Sequence, residues 1–348
     1  MHNNAKFIRV AAILLALYFG SSFSYGQGRD KTPTSPGYKL VKSVPIAGDD
    51  FWDYVTMDSD ARRVYVTHGT HVVVVSADDY SVVGDIPDTP GVHGVALAPS
   101  LNRGFISDGR ANKVTIFDLE TLKTIGEVTV GLGPDAIVYD DATKRVFTMN
   151  GHSNDSTAIN AADGKVLGTI PLDGRPEFTV ADGRGNVYLN IEDKSQMVRL
   201  DAQKLSVVNR WPMSPCEGPS GLAMDTKNRR LFAGCDNKIM AVIDADSGKV
   251  IATPPIGEGV DANAFDPGTN LAFASNGEGN ITVVHEDSPD KFSVVQTVPT
   301  KKSARTMAVD THTHSLFLPA ADFTPPPAGQ RRGAIVPHSF VLLVISLP

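Results

Sequence analysis

Short apolar runs alternate with polar turns along almost the whole chain. From residue 91 to 118 the sequence reads GVHGVALAPSLNRGFISDGRANKVTIFD: an apolar run, a charged turn, a second apolar run, another polar turn and a third run. The runs are rich in Val, Ile, Thr and aromatic residues, and Asp, Asn, Gly, Pro and Lys bound them. That is the pattern of strands joined by tight turns. Beyond the N-terminus no window carries a helical period.

The same order recurs. Aligned on the second run, the chain gives seven copies centred on Tyr65, Phe105, Phe147, Tyr188, Phe232, Phe273 and Phe317, spaced 40 to 44 residues apart. Aromatic residues are only 7% of the chain, so seven in one register form a true repeat. Seven residues before most of these aromatics stands an aspartate: Asp58, Asp140, Asp225, Asp266 and Asp310. Ala98 takes that place in the second copy, and Asp182, one residue closer, in the fourth. Each copy continues with a third and a fourth run, such as 240–243 and 250–257. Four strands in about 42 residues is the size of one propeller blade. The expected fold is therefore all-β, a seven-bladed β-propeller of four-stranded antiparallel blades. The last copy has runs at 306–309, 316–318 and 341–346 but no fourth. The unattached run 38–46 (YKLVKSVPI) supplies it. An N-terminal strand completing the seventh blade closes the ring and leaves no long open edge.

Tyr65-Val66-Thr67-His68 is one residue away from Tyr-Val-Thr-Asn, and 117–137 (FDLETLKTIGEVTVGLGPDAI) has a strand–turn–strand–Gly-Pro pattern. In these features the chain from about Tyr38 onward resembles the YVTN (YncE-like) propeller repeat proteins. The resemblance implies an exported or periplasmic propeller and brings no catalytic motif with it. His68 departs from the family tetrapeptide.

The N-terminus reads differently. Lys6 and Arg9 precede an apolar run at 10–19, and small residues follow at Ser24 and Gly26. This predicts a secretory signal peptide, 1–26, cleaved after Gly26. Its apolar run is short for a bilayer span, so no membrane span is expected once it is removed. A polar lead-in covers 27–37, and the propeller 38–348. Without Lys6 and Arg9 the chain has 30 basic and 39 acidic residues, a net charge of −9. Such a balance disfavours nucleic acid as a partner and suits a periplasmic or secreted monomer. In an oxidising compartment Cys216 and Cys235 are either a disulfide or two unrelated thiols.

Chemistry is expected where the inner strands of the blades begin, at one mouth of the central channel. Five residues before each aspartate position lie Asp53, His93, Asp135, Glu177, Ser220, Asp261 and Arg305. The blade frame repeats because blades must pack; this column varies because it faces a solvent-filled channel. His93, Asp135 and Glu177 come from consecutive blades and would suit a divalent cation as cofactor. Arg305 would hold a carboxylate or phosphate, or else pair with Asp53 or Asp261. Loops on the same face add polar groups, among them His68, Asp108, Asn150, Asn190 and Asn276. A proline-rich insertion, 320–340, with Arg331 and Arg332, joins them as a lid, a partner contact or a plain loop. Phosphate loops, CxxC pairs and nucleophile elbows are absent. The expected function is a non-catalytic binding or interaction module taking a small molecule, metal or protein at the mouth. The alternative is a lactonase-like hydrolase with Glu177 or His93 as base and Arg305 on the carbonyl.

Overall fold

The computed structural model describes residues 1–2, 35–327, 329 and 333–348. Residues 3–26 of the expected signal peptide, residues 27–34 of the lead-in, and Arg331 and Arg332 of the insertion lie outside the described residues. The chain divides into Met1–Thr32 and Pro33–Pro348. The second unit is the propeller.

Its short apolar runs form 28 strands among the described residues, grouped as seven sheets of four. Within a sheet the strands follow chain order. The second blade, for example, runs Val92–Ala98, Arg103–Asp108, Lys113–Asp118 and Thr124–Thr129. Each inner strand packs against that of the next blade, and the seventh against the first. The seventh sheet mixes the chain ends: Lys39–Pro45 pairs with Val341–Ser346, setting Lys39 opposite Ser346 and Pro45 opposite Val341. The only helical elements among the described residues are two 3-10 turns, Pro99–Leu101 and Glu192–Lys194. No helix among the described residues is long and apolar enough to cross a membrane.

The frame repeats because the core lies between blades. All seven aromatic anchors are at most 1% exposed, packed among Val, Ile and Leu of their own and the neighbouring sheet. Truncating one, such as Phe105→Ala, is expected to cost about 3–5 kcal/mol through lost burial and the cavity left behind.

The aspartate column caps the turn after each inner strand. Asp140 accepts the Thr143 amide at 3.0 Å, and Asp225 that of Lys227 at 2.8 Å. It also clasps the next blade. Arg229 reaches Asp182 at 3.0 Å, Arg62 reaches Asp310 at 2.6 Å, and the His314 ring lies 2.7 Å from Asp266. Burial opposes the charge on Asp182, yet the turn amides and Arg229 outweigh it and hold the carboxyl below its ordinary range. In the second blade, where Ala98 replaces the aspartate, the 3-10 turn Pro99–Leu101 makes the corner.

The outer strands carry a feature that the sequence did not announce. Every one is bulged at the same place, so that Val41, Val83, Ile125, Leu167, Val208, Ile251 and Val295 have no opposite number. All seven are aliphatic. A bulge sharpens the local twist and spoils the row of backbone groups that an edge would offer to another chain.

One detail differs from expectation. The fourth strand of the fifth blade is only Val250–Ala252, because Pro254 and Pro255 cannot donate to a ladder. The insertion is anchored by aromatic packing, Trp52 lying 5.1 Å from Phe340 and 5.9 Å from Phe323 between ring centroids. Cys216 and Cys235 form a disulfide within the fifth blade.

Candidate functional site

The inner strands do not deliver their first residues to the mouth by simple alternation. Most of them are bulged there. The register slips between Val92 and Val95, Pro134 and Ile137, Pro176 and Thr179, Pro219 and Leu222, and Val260 and Ala262. The slipped segments contain His93, Asp135, Glu177, Ser220 and Asp261. A bulge frees a residue from the ladder and re-aims its side chain. The residue opposite the bulge then fixes it in place. Ser107 accepts the Gly94 amide at 2.9 Å and donates to the Asp135 carbonyl of the next blade. Asn190 donates to the Ser220 carbonyl at 2.8 Å, and Ser275 to that of Arg305. Each hydroxyl or amide thus ties one blade to the mouth residue of the following blade.

Asp53, His93, Asp135, Glu177 and Arg305 line one cavity of about 720 Å³. Ser220 and Asp261 do not; Ser220 Oγ donates to Asp261 at 2.9 Å, and Asp261 pairs with Arg305. Arg305 also lies 3.5 Å from Asp53. Its charge is therefore met by two carboxylates of the ring, the second of the two roles open to it from the sequence. His93 Nδ1 sits 2.6 Å from Asp53 Oδ2 and 3.5 Å from Asp135 Oδ1. The ring fits there because residue 109 is glycine: a Cβ at that position would stand 2.6 Å from His93 Nε2.

The pKa values follow from this crowding. Burial alone would pull the His93 imidazole down. The Asp53 hydrogen bond and the charges of Asp135, Asp53 and Glu177 outweigh it and hold the ring at about 9. Burial, with the charge of Asp53, raises Asp135 to about 6 against the pull of His93 and a hydrogen bond from Tyr54. Burial and then the charges of Asp135 and Asp53 raise Glu177 to about 8. At neutral pH the site thus holds an imidazolium between carboxylates, beside a neutral Glu177.

Three donor atoms come close enough to share a cation. One each from Asp53, His93 and Asp135 lie within 4.8 Å of one another, and Asp135 Oδ1 has no hydrogen-bond partner. Two carboxylates and an imidazole suit a borderline divalent ion, provided His93 gives up its proton. The grouping takes Asp53 where the sequence suggested Glu177, because the Asp53 carboxylate reaches His93 directly. Arg110, His152 and Arg175 stand on the rim of the same cavity, with Phe51 and Trp52 on the first-blade side.

Two further residues escaped the sequence reading. Tyr54 and Phe178, each one after a mouth residue, meet edge to face across the channel with ring centroids 4.9 Å apart. Their rings narrow the channel beneath the mouth. A signal was present: the other five members of that column are Gly94, Ala136, Gly221, Ala262 and Thr306, all small. The polar groups assigned to surface loops also need correction. His68, Asp108, Asn150, Asn190 and Asn276 are buried, at most 1% exposed. Asn150 bonds Asp155 and Thr157, Asn276 bonds Asn280 and Thr282, and Asp108 accepts from Thr115. These groups close hairpins and are not displayed to solvent. His68 stacks on Phe340 at 4.3 Å.

No family model matches the chain, and no curated protein does. Solved structures do. The chain is similar to Kuenenia stuttgartiensis hydrazine synthase, with a TM-score of 0.68 and 14% identity over 84% of this chain and 95% of that one. It is similar to the WD40 repeats of RRP9, with a TM-score of 0.74 and 9% identity over 90% of this chain and 98% of the other. The structure of U3-55K aligns with a TM-score of 0.73 and 9% identity, over 90% and 99% of the two chains. Identities this low speak to fold alone, and the fold they share with this chain is the β-propeller that its seven four-stranded sheets show.

Proposed function

We propose that this protein is an exported binding module of the YVTN (YncE-like) kind, holding a small polar ligand or a divalent cation at the channel mouth. The observation that carries the proposal is the convergence of Asp53, His93, Asp135, Glu177 and Arg305, from five different blades, on one cavity of about 720 Å³. Pockets of this size, with a few fixed polar groups, are the usual form of a small-molecule site. The strongly displaced titrations of His93 and Glu177 point the same way, since such groups gather at functional sites. Export is supported by the Cys216–Cys235 disulfide, a bond at home in oxidising compartments.

The hydrolase alternative has less support. It needs a base at neutral pH, and His93 at about 9 and Glu177 at about 8 are both protonated there. Arg305 is committed to Asp261 and Asp53.

Calorimetric titration of chelator-treated protein with Ca²⁺, Mg²⁺, Mn²⁺ and Zn²⁺ separately tests the cation version. Binding that releases a proton and is weakened at least tenfold in Asp53→Asn is expected. No heat with any of the four ions removes the cation and leaves an organic ligand, which native mass spectrometry of the exported protein would reveal as bound cargo.

A further inference from the structure

Beneath the Tyr54–Phe178 pair lies a second cavity, of about 260 Å³. It differs from the mouth in kind. Met57, Val95, Ile137, Phe178, Met307 and Val309 form most of its wall, and no lining residue is charged. The threonine hydroxyls on that wall already have partners: Thr56 donates to the Val95 carbonyl at 2.8 Å, and Thr179 to that of Tyr188 at 2.9 Å. Asn263 also borders the chamber, but its amide is buried away from it, the oxygen lying against Gly221 and Gly234 of the fifth blade. Met57 and Val309 immediately precede Asp58 and Asp310, which cap turns on the face opposite the mouth. The chamber therefore belongs to that far end of the channel.

We propose that this chamber is a second binding site, separate from the mouth, for one small and largely apolar molecule. The ligand class is a single aromatic ring or a short branched aliphatic chain, with at most one hydrogen-bonding group. Size follows from volume: an apolar cavity of about 150 Å³ is enough for benzene, so this one, at about 260 Å³, has room for a substituted ring. Polarity follows from the wall. A carboxylate or ammonium would lose its water and meet no countercharge, whereas an apolar ring would cover the half-buried faces of Phe178, Ile137 and Met57. Tyr54 lines the chamber and directly follows Asp53 in the chain, so a ligand here touches the neighbour of a mouth residue.

The test uses full-length protein carrying ¹³C-methyl methionine, titrated with fluorobenzene and, separately, with 4-fluorobenzoate. Fluorobenzene should shift the Met57 and Met307 methyl signals, assigned through Met57→Leu and Met307→Leu, and leave the other methionines in place. The ¹⁹F line of the probe should broaden. Val309→Trp and Ile137→Trp, which fill the chamber from two different blades, should each weaken binding at least tenfold, while Asp53→Asn at the mouth should leave it unchanged. Circular dichroism identifies a filled variant that has not folded, and the other then decides. Absence of shifts at Met57 and Met307 overturns the proposal. So does equal affinity for 4-fluorobenzoate, or binding that survives in a folded filled variant.

Discussion

Replacing Asp53 by Asn should move the His93 titration by more than one pH unit with almost no change in shape. In the native site the imidazole stands at about 9 against an ordinary 6.5. At about 1.4 kcal/mol per unit, that displacement corresponds to roughly 3.4 kcal/mol of preference for the charged ring. The ring is 36% exposed, so solvent screening reduces the stabilisation to about 1–2 kcal/mol. Asp53 supplies the hydrogen bond and part of the field, and burial works against the charge. With Asp53 made neutral, Asp135 is the carboxylate left to oppose burial while Glu177 stays protonated, and the ring should titrate below 8. The direction of the shift sets the sign for stability: a histidine whose folded pKa is raised stabilises fully below 6.5, and that contribution disappears as pH climbs through about 9. The wild type should therefore lose stability between pH 6.5 and 9, and Asp53→Asn should lose much less. Imidazole carbon shifts followed by NMR from pH 5 to 10, with His93→Gln to assign the resonance, measure the titration; urea melts across the same range measure the linkage. A native His93 midpoint near 6.5, or one that Asp53→Asn leaves in place, would refute the electrostatic account of the site.

Glu177 gives a complementary expectation. Its folded pKa of about 8 lies above the ordinary 4.5, so ionising it costs stability as pH rises from 4.5 to 8. Glu177→Gln should be more stable than wild type at pH 9 and nearly equal at pH 4.5, read as urea midpoints. Ser107→Ala should destabilise by about 1–2 kcal/mol, because the Gly94 amide and the Asp135 carbonyl both lose a buried partner; it should also weaken mouth binding, where Ser156→Ala, in a buried hydroxyl with no partner, should not.

Much of the architecture was legible because it is written seven times. The aromatic anchors and the aspartate column repeat their spacing whatever each blade does locally, and the missing fourth strand of the last copy pointed to residues 38–46. The mouth column was legible for the same reason. What it would do was not, because distances such as that from Asp53 to His93 depend on bulges, and a bulge shows only when two strands are paired residue by residue. Ser107, Asn190 and Ser275 hold the site through backbone carbonyls, so in the sequence Ser107 and Ser275 look like ordinary small polar strand residues and Asn190 like a loop residue. His68 and Asn276 look like loop residues from the sequence, since a polar residue at a strand end is usually solvated; here each turns inward. Tyr54 and Phe178 each follow a charged mouth residue, and only the closed ring of blades shows that the two meet across the channel.

The pairing of residues 39–45 with 341–346 has a consequence for the order of assembly. The earliest strand of the propeller to leave the ribosome is the last to find its partner, so six blades wait on a seventh that only the finished chain can complete. With Lys39 facing Ser346, a short peptide would join the two ends without strain, and the chain could be cut instead at an exposed turn such as 246–247. Such a rearranged protein should reach the same ring, with its seam moved from the seventh blade to the fifth.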